Sequence, residues 1–262
     1  ADDSGTSEAR VTYRAAPGEE VRLSGGCLVD TFQPVTDAAI LARLDESVHG
    51  KVYQADLKAL GIADLGQVAV AGKRLELSFN DQPMHVSRWP NEGFVRIVDV
   101  VAETPVDVRG TKGDRSGKIV YEGDRPNGWA AEDDLWLHGY WFWDWAEQRM
   151  KVDAIDRERK VISLAPPHHG YGYRKNQWYY AFNALCEVDE PGEWYLDRAT
   201  AMLYFYPPGP IAQGRAEVSV TPTLITMKDV SHVTVRGFIL EAARNHGTTI
   251  HGGEGIRLEA CT

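Results

Sequence analysis

Short runs of alternating apolar and polar residues, each ended by a turn, recur near the carboxyl-terminal end of the chain. Val233 and Ile256 occupy equivalent positions in two such runs, 23 residues apart, and Ile225 and Ile250 give a second equivalence, 25 residues apart. A period in this range, built from short strands, is typical of a solenoid in which each coil packs on the one before it. Because a single coil cannot bury its apolar face alone, and the repeat stops on its second coil, we expect this chain to be a fragment.

Two further alternating runs lie near the start of the chain. Val11–Arg14 and Glu20–Ser24 flank a turn at Pro17-Gly18, and together they resemble one more coil. The long stretch between the two ends lacks the short period but contains many candidate strands and few, short helix signals. The sequence therefore predicts a mostly β protein with three parts. These are cap strands and a first coil at 1–26, an inserted β-rich, sandwich-like domain at 27–215, and the first coils of a truncated solenoid at 216–262.

Composition and charge argue against several classes of partner and cofactor. The chain has 262 residues and a formal net charge of −10, and an acidic surface disfavours nucleic acid and anionic membranes as partners. No apolar run approaches the length that spans a bilayer, and the first residues are polar, so either a leader has been removed or the chain starts inside a larger protein. The three cysteines are far apart and form no metal-binding pattern, and no nucleotide-binding or zinc-protease motif occurs. We therefore expect no metal and no cofactor.

The densest feature is an aromatic segment at 136–145. Side chains of a strand alternate between its faces. One face would carry Leu135, Leu137, Trp141, Trp143 and Trp145, which form the better core. The other would carry Trp136, His138, Tyr140, Phe142 and Asp144. The second face combines aromatic rings with hydrogen-bonding groups and suits a sugar ring, so Trp136, His138 and Tyr140 are candidate substrate-binding residues. The alternative is a strand buried on both faces.

Polar residues on the turns of the last coils are a second candidate site. Arg244, His246 and Glu254 lie on neighbouring coils, and loops on a rigid scaffold often carry function. They are therefore candidate sugar-binding residues, the alternative being ordinary polar turns in contact with water. The carboxylate-rich segment 190–198 is a weaker candidate, since Asp197-Arg198 before a turn is typical of a hairpin ion pair. No catalytic residue can be assigned.

Several segments, in order along most of the chain, resemble one known group of proteins. The matching stretches are Ser4–Thr6, Val11–Glu19, Leu23–Gly26, Asn80–Asn91 with its Arg88-Trp89-Pro90-Asn91 end, Asp189–Asp197 with Leu203–Pro207, and Asp229–Phe238. They resemble secreted bacterial right-handed parallel β-helix proteins, and the chain is similar to the carbohydrate-active group that includes glycoside hydrolase family 141. The resemblance implies that the solenoid is a right-handed parallel β-helix carrying an inserted antiparallel domain.

The resemblance also implies a polysaccharide or oligosaccharide partner and a secreted or periplasmic location. We expect the chain to be the amino-terminal part of a glycoside hydrolase that degrades plant or algal polysaccharides. Its paired carboxylates are expected beyond residue 262, so the fragment alone would be inactive. Two alternatives stay open at this stage. One is a polysaccharide lyase on the same scaffold, and the other is a non-catalytic glycan-binding β-helix module.

Overall fold

A computed structural model describes residues 3–262, and strands dominate it. The first fourteen strands are β1 (Val11–Arg14), β2 (Val21–Ser24), β3 (Gly26–Leu28), β4 (Gln33–Pro34), β5 (Tyr53–Asp56), β6 (Leu77–Phe79), β7 (Gln82–Pro83), β8 (His85–Val86), β9 (Arg88–Trp89), β10 (Val95–Arg96), β11 (Asp99–Val100), β12 (Pro105–Val108), β13 (Thr111–Asp114) and β14 (Lys118–Val120). The others are β15 (Trp136–Tyr140), β16 (Glu147–Asp156), β17 (Val161–Leu164), β18 (Trp178–Phe182), β19 (Glu193–Asp197), β20 (Met202–Phe205), β21 (Ala216–Ser219), β22 (Thr223–Lys228), β23 (Val233–Arg236), β24 (Phe238–Glu241), β25 (His246–His251) and β26 (Arg257–Glu259). The prediction of a mostly β protein is confirmed.

Helical structure in the described part of the chain is short. The α-helix α1 (Ala38–Leu41) begins after Asp37, whose carboxylate accepts hydrogen bonds from the backbone N–H groups of Ala39 and Ile40. This is the usual way in which an N-cap residue satisfies the free donors of a first turn. The 3₁₀ turns are Glu46–Val48, Arg125–Ala131, Leu185–Glu187 and Ile211–Gln213.

The chain forms two compact units. The first comprises Ala1–Asp30, Asp64–Pro83 and Arg215–Thr262, and the second comprises Thr31–Ala63 and Met84–Gly214. The predicted domain boundaries after residues 26 and 215 stay a prediction.

In the first unit, strands from the two ends of the chain pair in parallel. Strand β23 lies between β1 and β26, β2 pairs with β24, and β22 pairs with β25. Two of these pairs, β22 with β25 and β23 with β26, join residues that are 23 positions apart, since Ile225 pairs with Thr248 and Thr234 pairs with Arg257. The predicted equivalence of Ile225 with Ile250 was therefore wrong by two positions. Ile250 pairs with Met227.

The apolar side chains of these parallel strands form one cluster, and the turn before β26 contains a glycine. Met227, Val230, Val233 and Val235 are buried in the cluster. Gly253 has a φ of +72°, and a Cβ atom at this position would overlap the carbonyl oxygen of Val230. The turn before β26 therefore requires glycine. The same unit also contains an antiparallel sheet in the order β3-β21-β6-β7.

In the second unit most strand pairs are antiparallel. The large sheet has the order β10-β18-β15-β16-β17-β14-β11, with β9 also paired to β18. A second sheet has the order β4-β5-β20-β19-β8, in which the pair of β19 with β8 is parallel. The core on one side of the large sheet is rich in aromatic residues, and Trp129, Trp141, Tyr173 and Tyr179 are fully or almost fully buried there. Burial of rings of this size supplies much of the apolar area that stabilises such a sheet.

No helix within residues 3–262 has the length and apolar character needed to cross a membrane.

Candidate functional site

Strand β15 shows the alternation that its sequence predicts. Leu137 and Gly139 are buried on the core side of the large sheet, whereas Trp136, His138 and Tyr140 are partly exposed on the other side. The strand is therefore not buried on both faces. The structure brings these three predicted site residues together on one surface.

The neighbouring strand β18 extends this surface. Trp136 pairs with Phe182 and His138 pairs with Tyr180, and the same antiparallel register places Trp178 beside Tyr140. Residues directly opposite in an antiparallel pair lie on the same side of the sheet. We call this surface the aromatic face. It consists of Trp136, His138, Tyr140, Trp178, Tyr180 and Phe182, together with Phe94 from the turn before β10.

Phe94 is the most exposed ring of the aromatic face, with 41% of its surface accessible. Its centroid lies 5.4 Å from that of Tyr180, 5.9 Å from that of Tyr140 and 6.3 Å from that of Trp178. These separations fit the edge-to-face and tilted contacts that aromatic rings favour. The result is a ring surface, partly open to solvent, in which Phe94 contacts three neighbouring rings.

Arginines lie against the rings of the aromatic face. The guanidinium of Arg88 is 3.9 Å from the ring centroid of Tyr180, that of Arg96 is 5.0 Å from Trp178, and that of Arg149 is 4.8 Å from Phe182. Such cation–π contacts hold a guanidinium over a ring while its N–H groups keep their hydrogen-bonding capacity. Hydrogen bonds from Arg88 Nε to the carbonyl of Pro90 (2.9 Å) and from Nη2 to that of Gly93 (2.5 Å) fix the turn that carries Phe94.

Acidic side chains complete the edge of the aromatic face. Nε2 of His138 lies 3.3 Å from a carboxylate oxygen of the exposed Glu147. The indole N–H of Trp136 donates to Asp134 at 2.8 Å, and Asp134 also pairs with Arg198 at 2.8 Å. At the paired strand positions of this face, Glu147 is the acidic residue. The edge of the aromatic face therefore carries charged and hydrogen-bonding groups beside its rings.

The predicted face does not continue beyond Tyr140, because β15 ends there. Trp141 and Phe142 are both fully buried, although alternation assigned them to opposite faces. Asp144 is exposed, and Trp145, which alternation assigned to the core, is 68% exposed. Its ring lies edge-on to Tyr171, with centroids 5.6 Å apart.

The other three predicted site residues lie in the first unit. The side chain of Arg244 is only 3% exposed and pairs with Asp64 at 2.6 Å, while its Nε donates to the carbonyl of Ser219. These donors are therefore used within the fold. His246 and Glu254 are both exposed, the first at the start of β25 and the second three residues after its end. Six strand residues extend about 17 Å, so the structure does not bring His246 and Glu254 together. Sugar binding by these three residues stays a prediction.

Two buried glutamates lie in or just before the carboxylate-rich segment 190–198. Glu187 is 1% exposed and accepts hydrogen bonds from Nε and Nη2 of Arg125 and from the indole N–H of Trp129. Glu193 is 4% exposed and accepts hydrogen bonds from the backbone N–H groups of Arg88, Asp189 and Glu190. Burial nevertheless raises the pKa of Glu193 to about 7. Both carboxylates hold loops within the fold.

The sequence analysis missed Phe94, the β18 residues of the aromatic face, and the arginines that β9 and β10 place against its rings. One signal was present: Trp178-Tyr179-Tyr180-Ala181-Phe182 is as aromatic as β15 and has the same alternation. Within residues 3–262, no group of three or more histidine, cysteine, aspartate or glutamate side chains is arranged to hold a metal ion.

Comparisons with known proteins show a likeness in fold. No protein-family model matches the sequence, and no curated protein matches it. Among solved structures, the chain is similar to one described as "Glycoside hydrolase", with a TM-score of 0.65 and 17% identity over 91% of this chain and 39% of that one. A chain titled "The complex structure of XylC with xylose" gives a TM-score of 0.37 and 13% identity over 92% of this chain and 28% of that one, too low to support an argument. The chain thus spans well under half the length of either structure. At this identity the first likeness shows a shared fold.

Proposed function

We propose that this chain binds polysaccharide through its aromatic face and forms part of a secreted or periplasmic glycoside hydrolase acting on plant or algal glycans. The observation that carries the proposal is the aromatic face itself. Two adjacent strands present aromatic residues in register, and Phe94 lies over them partly open to solvent. Apolar C–H faces of sugars stack on such rings, while the charged groups at the edge supply hydrogen bonds to hydroxyls.

The architecture supports the same proposal. Parallel rungs with a 23-residue repeat, built from β1, β22, β23, β25 and β26, are what a right-handed parallel β-helix of the family 141 type would contain. The fold is shared with a chain described as a glycoside hydrolase, of which this chain spans 39%. In this proposal the paired carboxylates of hydrolysis lie outside residues 1–262. The chain itself then binds glycan without releasing sugar.

Alanine at Tyr140 or Trp178 is expected to weaken oligosaccharide binding about tenfold each, because each change removes one ring of the stacking surface. Isothermal titration calorimetry of the 262-residue chain with xylo-, manno- and galacturono-oligosaccharides measures the effect. Trp145→Ala is the matched control, since Trp145 is exposed but lies outside the aromatic face as defined.

The outcomes separate three cases. Loss of affinity in the Tyr140 and Trp178 variants, with Trp145→Ala unchanged, supports the aromatic face. An equal loss in Trp145→Ala places the contact elsewhere and contradicts the proposal. Absence of binding to every oligosaccharide also contradicts it. Thermal unfolding of each variant shows whether a loss of binding reflects a loss of fold.

A further inference from the structure

The charged residues of the aromatic face are mostly cationic, although the whole chain has a net charge of −10. Strand register places Arg88, Arg96, Arg149 and Lys151 on this side of the sheet. The acidic residues beside them are Glu147, opposite Tyr140, and Asp134, which lies 3.5 Å from Lys151. Charges farther away than about 10 Å are largely screened at an ionic strength of 0.1 M. The local excess of positive charge, rather than the net charge of the chain, therefore decides which ligands this face attracts.

The cations lie along both long edges of the ring surface. Arg88 and Arg96 are opposite Phe182 and Trp178 on one edge, and Lys151 and Arg149 lie on the other edge, on β16. Trp178 and Phe182 are four positions apart on β18, so their partners Arg96 and Arg88 are about 13 Å apart along the strand direction. Rings thus fill the middle of the face while cations border it, an arrangement suited to a chain of sugar rings with acidic substituents at its sides.

Arg96 is the best placed of these cations to bind an anion. It is exposed, its guanidinium lies over Trp178, and Nη1 donates to the carbonyl of Asn176 at 2.7 Å. Within residues 3–262 no partner is found for its Nε and Nη2 groups. These two groups form the edge of a guanidinium that pairs with both oxygens of a planar carboxylate. A sugar stacked on Trp178 would place an attached carboxylate within reach of this edge.

We propose that the aromatic face binds glycans that contain uronic acids, with the sugar rings on Trp178, Tyr140 and Phe94 and a carboxylate on Arg96. This inference rests on the proposed function, because it names the substrate class of the same surface. It does not require that the chain cleave the glycan. It predicts affinity that depends on carboxylate charge and on ionic strength.

The test compares each acidic glycan with its own neutral form. Oligogalacturonate, glucuronoxylan fragments and their carboxyl-reduced derivatives keep the same linkages and differ in the presence of the carboxylate. We expect the 262-residue chain to bind at least one acidic form about tenfold or more tightly than its reduced form. The preference should shrink as salt is raised, since screening weakens exposed ion pairs. Calorimetric titration measures both effects.

Charge-removing variants give a second measurement. Arg96→Gln is expected to weaken binding of the acidic form about fivefold and to leave binding of the reduced form unchanged. Arg157→Gln is the matched control, since Arg157 is exposed in the turn between β16 and β17 and belongs to no edge of the aromatic face.

The results distinguish the two proposals. Equal binding of acidic and carboxyl-reduced glycans overturns the uronic acid proposal and leaves glycan binding intact. Failure of every glycan to bind overturns both proposals. Tighter binding of a sulfated oligosaccharide than of any uronate contradicts the choice of carboxylate. An effect of Arg157→Gln as large as that of Arg96→Gln would show that total charge, not this face, controls affinity.

Discussion

Glu187→Ala is expected to lower the free energy of unfolding of the second unit by about 3 kcal/mol, mainly because it removes the acceptor of a buried indole N–H. The carboxylate of Glu187 is buried, and it is the acceptor for the indole N–H of Trp129, which is itself almost fully buried. Without it, that N–H has no acceptor, and an unsatisfied buried donor costs about 1–3 kcal/mol on its own. A cavity and the loss of the two-pronged contact with Arg125 add the rest.

A second partner of Arg125 limits the loss of stability in Glu187→Ala. Arg125 is partly exposed and also lies 3.1 Å from Asp189, so its charge stays paired and hydrated in the variant. Glu187→Gln keeps the volume and one acceptor, and it should therefore cost about half as much. Urea unfolding followed by tryptophan fluorescence gives the values. Glu190→Ala is the control, because Glu190 is exposed and surface changes usually stay within about 0.5 kcal/mol. A loss below 1 kcal/mol for Glu187→Ala would contradict this account.

Periodicity predicted the strands of the rungs better than it predicted their register. The 23-residue repeat derived from Val233 and Ile256 agrees with the observed pairing of β23 with β26, whereas the alignment of Ile225 with Ile250 was two residues out. A slip of one residue moves a side chain to the other face of a strand, but a slip of two restores it to the same face. An alternating apolar pattern therefore cannot distinguish two registers that differ by two residues. The lengths of the turns between the strands determine which register forms.

Part of the aromatic face could be predicted from the sequence, because alternation fixes which residues of a single strand share a face. Alternation places Trp136, His138 and Tyr140 on one side of β15 wherever that strand lies, so their common face followed from the sequence. The contact of Tyr140 with Trp178, and that of Trp178 with Arg96, depend on antiparallel pairing between strands about forty residues or more apart in the chain. No local pattern encodes that pairing.

The role of Arg244 and the end of β15 were also beyond a local pattern. Arg244 contacts Asp64, which lies 180 residues earlier in the chain, and this contact turns a predicted ligand-binding side chain into an internal ion pair. Beyond Tyr140 the chain leaves the extended conformation, so alternation no longer applies and Trp145 emerges into solvent. In each case tertiary structure overrides a rule that holds only within a continuous strand.

Glu193→Gln is expected to change how stability depends on pH. The pKa of Glu193 is raised to about 7 in the folded protein, chiefly by burial, and that of an unfolded glutamate is about 4.3. Between these values the folded state holds a proton that the unfolded state has released. The contribution of Glu193 to the free energy of unfolding is therefore fully present below about pH 4. It falls as the pH rises to about 7, and above that pH the free energy of unfolding is lower by about 3 kcal/mol. Glutamine does not titrate and lacks this loss.

The difference in the free energy of unfolding between Glu193→Gln and the unmodified chain isolates the titration of Glu193, because all other titrating groups are shared. Glutamine offers one acceptor oxygen to the three backbone donors, which adds a cost that does not vary with pH. Unfolding in urea at pH 5 and pH 8 should show Glu193→Gln gaining about 2–3 kcal/mol relative to the unmodified chain as the pH rises. Glu190→Gln, one turn away and exposed, should show no such gain. A change of the opposite sign would mean that the three N–H donors outweigh burial and keep Glu193 ionised.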